Sequence, residues 1–132
     1  MGAAENKQVI SNMFAEISKG NAAAFLDAMA DDVKYTLQGR TKFSGTMNGK
    51  NEVMAKLLGP LGAALEGGIT LTPYSFIAED EYVVMLANGK ATTKGGKSYN
   101  NSYCHVFRIV GGKVNEINEY LDTALVDEAF GK

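Results

Sequence analysis

Tyr99-Asn100-Asn101-Ser102-Tyr103-Cys104-His105-Val106-Phe107-Arg108-Ile109-Val110, then Gly111-Gly112, then Lys113-Val114-Asn115-Glu116-Ile117-Asn118-Glu119-Tyr120-Leu121: the reading of these residues decides the fold. Before the paired glycines, Tyr99, Asn101, Tyr103, His105, Phe107 and Ile109 alternate with Ser98, Asn100, Ser102, Cys104, Val106 and Arg108, so a strand here presents two chemically different faces. After them, Ile117, Glu119 and Leu121 share a face. Two glycines between such runs predict an antiparallel hairpin, because glycine adopts the positive backbone angles that a tight turn requires. That turn folds Glu119 back beside His105, and a bulge is the one feature that would shift the pairing by a residue.

Upstream of the hairpin, residues 69–78 and 82–92 are two further strand-like runs, joined by Glu79-Asp80-Glu81 and by the stretch 94–97. Links this brief favour antiparallel hairpins over crossover helices, so residues 69–121 read as a four-strand meander. Gly95-Gly96-Lys97-Ser98 imitates the end of a phosphate-binding loop, but the glycine required five residues before Gly96 is Ala91, and a strand follows instead of a helix. It reads as a hairpin turn.

The first half of the chain is helical in pattern. Val9, Ile10, Met13, Phe14 and Ile17 recur at helical spacing over residues 4–19. Gly20 stops that helix and Asn21 caps a second, which places Phe25, Leu26 and Met29 inward. Val33, Tyr35 and Leu37 then alternate with Lys34, Thr36 and Gln38 as a strand, and residues 39–50 read as loop. A third helix begins near Asn51 and carries Val53, Met54, Leu57, Leu58, Leu61 and Leu65, with Gly59-Pro60 kinking or interrupting it. A last helix over residues 123–130 is capped by Asp122. The order predicts an α+β fold of one domain, residues 1–132, in which the helices cover one face of a strongly curved antiparallel sheet and enclose a cone.

Bulk properties exclude several classes of function. One cysteine, Cys104, rules out an internal disulfide, fits a reducing cytoplasm and reads as a small buried hydrophobe. A net charge of −2 with scattered basic residues gives no stripe for nucleic acid. Residues 1–8 lack the layout of a signal peptide and no apolar run is long enough for a membrane span, so a soluble cytoplasmic protein is expected. A single histidine next to a single cysteine on a strand point to opposite faces, which argues against a metal site, and no cofactor motif is present, so none is expected.

Phe25-Leu26-Asp27-Ala28-Met29-Ala30-Asp31-Asp32-Val33-Lys34-Tyr35, with this element order, resembles the start of ketosteroid isomerase-like and SnoaL-like polyketide cyclase proteins of the nuclear transport factor 2-like superfamily. Tyr103-Cys104-His105-Val106-Phe107-Arg108-Ile109, the Gly111-Gly112-Lys113-Val114 turn and Glu119-Tyr120-Leu121-Asp122-Thr123 resemble the last hairpin of SnoaL-like proteins. The resemblance implies a cone with an apolar pocket and a homodimer formed through the outer face of the sheet. It also implies where chemistry would sit. The isomerases' catalytic base falls at Leu37, which takes no proton, and the tyrosine of their first helix is replaced near Met13 or Phe14, so the isomerase reaction itself is not expected. The aspartate, arginine, aspartate set of limonene-epoxide hydrolase-like proteins is not assembled either, since Arg40 lies in a loop and Arg108 faces away from the pocket.

His105 falls where the isomerases place an acid of their oxyanion hole, and Glu119 resembles in position the acid-base aspartate of the SnoaL-like cyclases. An imidazole beside a carboxylate in an apolar cone suits proton transfer next to a carbonyl. Tyr35, Tyr103 and Asn101 are candidate hydrogen-bond donors to an enolate oxygen, and Phe14, Leu37, Phe107 and Leu121 candidate apolar contacts. The expected function is small-molecule binding with cofactor-independent isomerase, lyase or cyclase chemistry on a small apolar carbonyl compound. The alternatives are a ligand-binding module without chemistry and a protein-interaction domain. A closed pocket reached by His105 and Glu119 favours the first two, and a filled core with an exposed apolar groove the third.

Overall fold

Residues 2–132 are described by the structure, a computed structural model. The first helix, α1 (Ala3–Ser18), buries Ile10, Met13 and Phe14, the stripe that its spacing predicts, together with Asn6. Gly20 breaks it at a φ of 99°. Helix α2 (Ala23–Asp27) is short, because Met29 is already the first residue of strand β1 (Met29–Leu37) and not the last inward residue of a helix.

The stretch expected to be loop contains strand β2 (Gly45–Asn48), which pairs with β1 through Tyr35 opposite Met47. The third helix is broken into α3 (Lys50–Val53), a π turn (Met54–Leu58) and α4 (Gly59–Ala64). Pro60 has no N–H to offer the helix, and the Gly59 N–H reaches back five residues to the Met54 carbonyl. A side chain at residue 59 would stand 2.9 Å from that carbonyl, so glycine makes the turn possible. The widened turn brings Leu57 and Leu58 inward, leaves Met54 46% exposed and not in the core, and ends the helix before Leu65.

Strands β3 (Leu65–Glu79), β4 (Tyr82–Thr93), β5 (Ser102–Val110) and β6 (Lys113–Leu121) form the expected meander, and α5 (Thr123–Phe130) closes the chain. Its cap is Asp122, whose Oδ1 accepts from the Ala124 N–H at 3.0 Å. The sheet order is β2-β1-β6-β5-β4-β3. Neighbours are antiparallel except β1 and β6, which run parallel, so the sheet is mixed where an all-antiparallel one was expected. That pair is possible because most of the chain lies between the two strands and acts as the crossover.

Bulges in β3, between Glu66 and Thr70 and between Pro73 and Ser75, bend the sheet around the helices. The bulge between β5 and β6 falls at Arg108 and Ile109, beyond His105, so it leaves the His105 and Glu119 register unshifted. The core fills the concave side with Ile10 and Phe14 of α1, Val33, Met85, Phe107 and Ile117. Cys104 is half-buried on the opposite face, so it is not a core residue, and Arg108 points outward to Glu81 at 3.0 Å.

Candidate functional site

Sheet register assembles the site. Leu37, Glu119, His105, Met85 and Phe76 form one line across β1, β6, β5, β4 and β3, each directly opposite the next. Tyr35 stands two residues from Leu37 on the same face of β1, diagonal to Glu119. Directly opposed residues in an antiparallel pair have side chains within reach of one another, which is why two strands suffice to join a histidine and a carboxylate.

His105 Nε2 donates to Glu119 Oε1 at 3.1 Å, and the Tyr35 hydroxyl donates to the same oxygen. His105 is 3% and Glu119 6% exposed. The imidazole stacks on Phe107 with centroids 5.6 Å apart at 11°, and lies 5.8 Å from the Tyr103 ring, so its plane is fixed by its neighbours on β5. Burial alone would push the Glu119 carboxyl up. The adjacent His105 and the hydrogen bonds from His105 and Tyr35 together outweigh burial and hold it below the ordinary carboxylate value. Burial, reinforced by the Glu119 charge and hydrogen bond, pushes the Tyr35 hydroxyl well up. Burial likewise raises Tyr103, with Tyr99 as its next cause, so both phenols stay protonated donors at neutral pH.

Among the described residues, Glu119 Oε2 has no hydrogen-bond partner and is not sealed off, whereas His105 Nδ1 is both buried and unpartnered. The carboxylate is thus oriented through one oxygen and keeps the other available.

His105, Glu119, Tyr35, Tyr103, Leu37, Leu121 and Phe14 all line a partly enclosed cavity of about 310 Å³. Its remaining wall is mostly hydrocarbon, from Ile17 and Phe25 on the helical side to Leu57, Leu58 and Leu61 around the π turn. Two expected contacts are not part of it. Phe107 lies under the His105 ring and meets Phe14 edge-on at 6.2 Å, so it supports the floor instead of touching the space above. Asn101 is buried with all its polar capacity spent: Nδ2 donates to the Tyr99 hydroxyl and the Asp122 carbonyl, both at 3.0 Å, and Oδ1 accepts from the Ser102 and Asp122 N–H groups. It clasps the start of β5 to the end of β6 and has no donor left for a ligand. Tyr35 is likewise corrected as an enolate donor, since its hydroxyl is committed to Glu119.

Tyr99 enters the site unannounced. It lines the cavity next to Tyr103, and its place on the same face of the strand pattern was the available signal. Thr41 and Phe43, also in the wall, sit in an irregular segment that carries no periodic signal. No group of three histidine, cysteine or acidic side chains able to hold a metal occurs among the described residues, and no helix there is long and apolar enough to cross a membrane.

The comparisons with known proteins agree with this architecture. Residues 10–117 match the SnoaL-like domain. An uncharacterised protein of Mycobacterium tuberculosis is 22% identical over 122 residues, which is 92% of each chain. The crystal structure of an NTF2-like protein of unknown function from Burkholderia pseudomallei superposes with a TM-score of 0.83 at 24% identity, covering 96% of this chain and 98% of that one. A putative SnoaL-like polyketide cyclase from Jannaschia sp. gives 0.80 at 15% identity, covering 98% and 93%. With a family match over most of its length and this mixed cone of sheet and helices, the chain belongs to the SnoaL-like domain family and has the NTF2-like fold.

Proposed function

We propose that the chain binds a small, largely apolar carbonyl compound in the cone and catalyses proton transfer at the carbon next to the carbonyl without a cofactor. The observation that carries this reading is a buried Glu119 carboxylate, held by Tyr35 and His105 through one oxygen, in the wall of a mostly hydrocarbon cavity. An anionic carboxylate with one oxygen unoccupied is suited to take a proton from carbon. Charge then moves to the carbonyl oxygen, where the protonated Tyr99 or Tyr103 hydroxyl is a donor within the same wall. Returning the proton to a different carbon completes an isomerisation, and expelling a leaving group instead completes an elimination. His105 orients the carboxylate and exchanges the proton with it. Similarity to a putative polyketide cyclase supports a carbonyl substrate, since polyketides are built from carbonyl units.

The test is hydrogen-deuterium exchange at the carbon next to the carbonyl, followed by NMR over a panel of small cyclic and aromatic ketones. Glu119→Gln and His105→Ala are expected to lower the exchange rate of an active ketone by ~10²-fold or more with circular dichroism unchanged. Exchange that persists at the full rate in Glu119→Gln removes the assignment, and ketones that bind without exchange make the chain a sequestering module.

A further inference from the structure

A second depression, of about 410 Å³, adjoins the cavity, and Phe43 lines both. The partition between them is aromatic. Phe43 meets Phe130 edge-on at 5.3 Å, Phe130 meets Tyr99 at 4.9 Å, Tyr99 faces the inner cavity and Phe130 the outer depression. The two spaces therefore share one wall of side chains, with Phe43 common to both linings.

The outer depression differs sharply in charge. Lys42, Lys94 and Lys97 line it, and no acidic side chain does. Lys42 Nζ donates to the Phe130 carbonyl at 2.9 Å and Lys97 Nζ to the Glu128 carbonyl at 3.2 Å, which sets both ammonium groups at the end of α5. Each spends one of its three donors. Among the described residues, none of the three lysines has an ion-pair partner. Favourable contact with the negative end of a helix accounts for Lys42 and Lys97. It does not account for Lys94, which stands on the turn after β4 with Gly95 and makes no side-chain hydrogen bond among the described residues. All three are exposed, and three cations around one hollow give it a positive potential that favours an anionic group.

From this arrangement we infer that the ligand carries an acidic group, a carboxylate or phosphate, which the three lysines hold in the outer depression while its apolar, carbonyl-bearing body fills the inner cavity. Ammonium groups on flexible stems act as point charges and accept either anion. The inference rests on the reading of the cavity as a ligand site, and it narrows the substrate class from apolar carbonyl compounds to acidic ones.

Calorimetric titration separates the two claims. Octanol probes the inner cavity, octanoate and octyl phosphate probe cavity and lysines together, and inorganic phosphate probes the lysines alone. The expected result is that octanoate binds about tenfold more tightly than octanol, an advantage that shrinks with added salt. Lys94→Gln, which breaks no contact to α5, is expected to remove about threefold of it, and Lys42→Gln, Lys94→Gln and Lys97→Gln together all of it, with octanol unaffected. Equal binding of octanoate and octanol by the native chain, or an advantage that survives in Lys94→Gln and in the folded triple variant, overturns the lysine anchor and leaves the cavity reading standing. Inorganic phosphate binding as tightly as octyl phosphate makes the depression a free-anion site and overturns the tethered ligand. Failure of octanol and octanoate alike overturns both readings.

Discussion

Tyr35→Phe deletes one oxygen from a side chain that is 1% exposed and leaves the ring packed edge-on against Phe25 at 6.3 Å. What is lost is the hydrogen bond to Glu119, an interaction of a neutral donor with a charged acceptor. Bonds of that kind contribute roughly 1.5–3 kcal/mol, against about 1 kcal/mol for a neutral pair. The Glu119 carboxyl is held below its ordinary value in the fold, so its contribution to stability is present above the unfolded-state value of about 4.5 and disappears as pH falls through the lower folded-state value. Removing Tyr35 takes away part of that depression. The variant is therefore expected to be less stable by about 2 kcal/mol at neutral pH, and the penalty to shrink to about half once Glu119 is protonated. Urea denaturation followed by circular dichroism, at neutral pH and in a series descending below 4.5, measures both. A penalty of the same size at every pH would refute the argument, because it would mean that the hydroxyl supports packing and not the charge on Glu119.

Two further substitutions probe the frame of the site. Gly89→Ala would put a methyl group 2.6 Å from Tyr103 Cε2, so the ring must move; about 1–3 kcal/mol of destabilisation and a changed near-ultraviolet tyrosine spectrum are expected, and an unchanged melting curve and spectrum would show that the ring has room. Asn101→Ala breaks the clasp between β5, β6 and Tyr99, with an expected loss of about 2–4 kcal/mol in thermal denaturation, and a loss below 1 kcal/mol would show that water replaces the amide at little cost.

The elements with strong periodicity were legible in the chain itself. Val9 to Ile17 marked the buried side of α1, and alternation around the Gly111-Gly112 turn brought Glu119 near His105 on one face, while their direct opposition comes from the register of the folded hairpin. What escaped had weak local signals. Strand β2 has four residues and one buried side chain, Met47, so it carries no period to read. The parallel partnership of β1 with β6 depends on packing between distant segments, and no residue near either strand encodes it. The strand pattern assigns Asn101 to the right face, but an amide's partners decide whether it meets a ligand, and those lie in the turn before α5. Phe107 shows the same limit: alternation gives the face, while depth below His105 comes from ring stacking.

Strand β6 lies between β1 and β5, so the strand made last is inserted into the interior of the sheet. While the chain is being synthesised, β1 emerges long before its main neighbour and waits with one backbone edge open. Tyr35 and Glu119 are 84 positions apart, and closing so long a loop is the slow kind of folding step. A nascent chain that stops short of Leu121 would expose that edge to other chains, and the complete hairpin is what seals it.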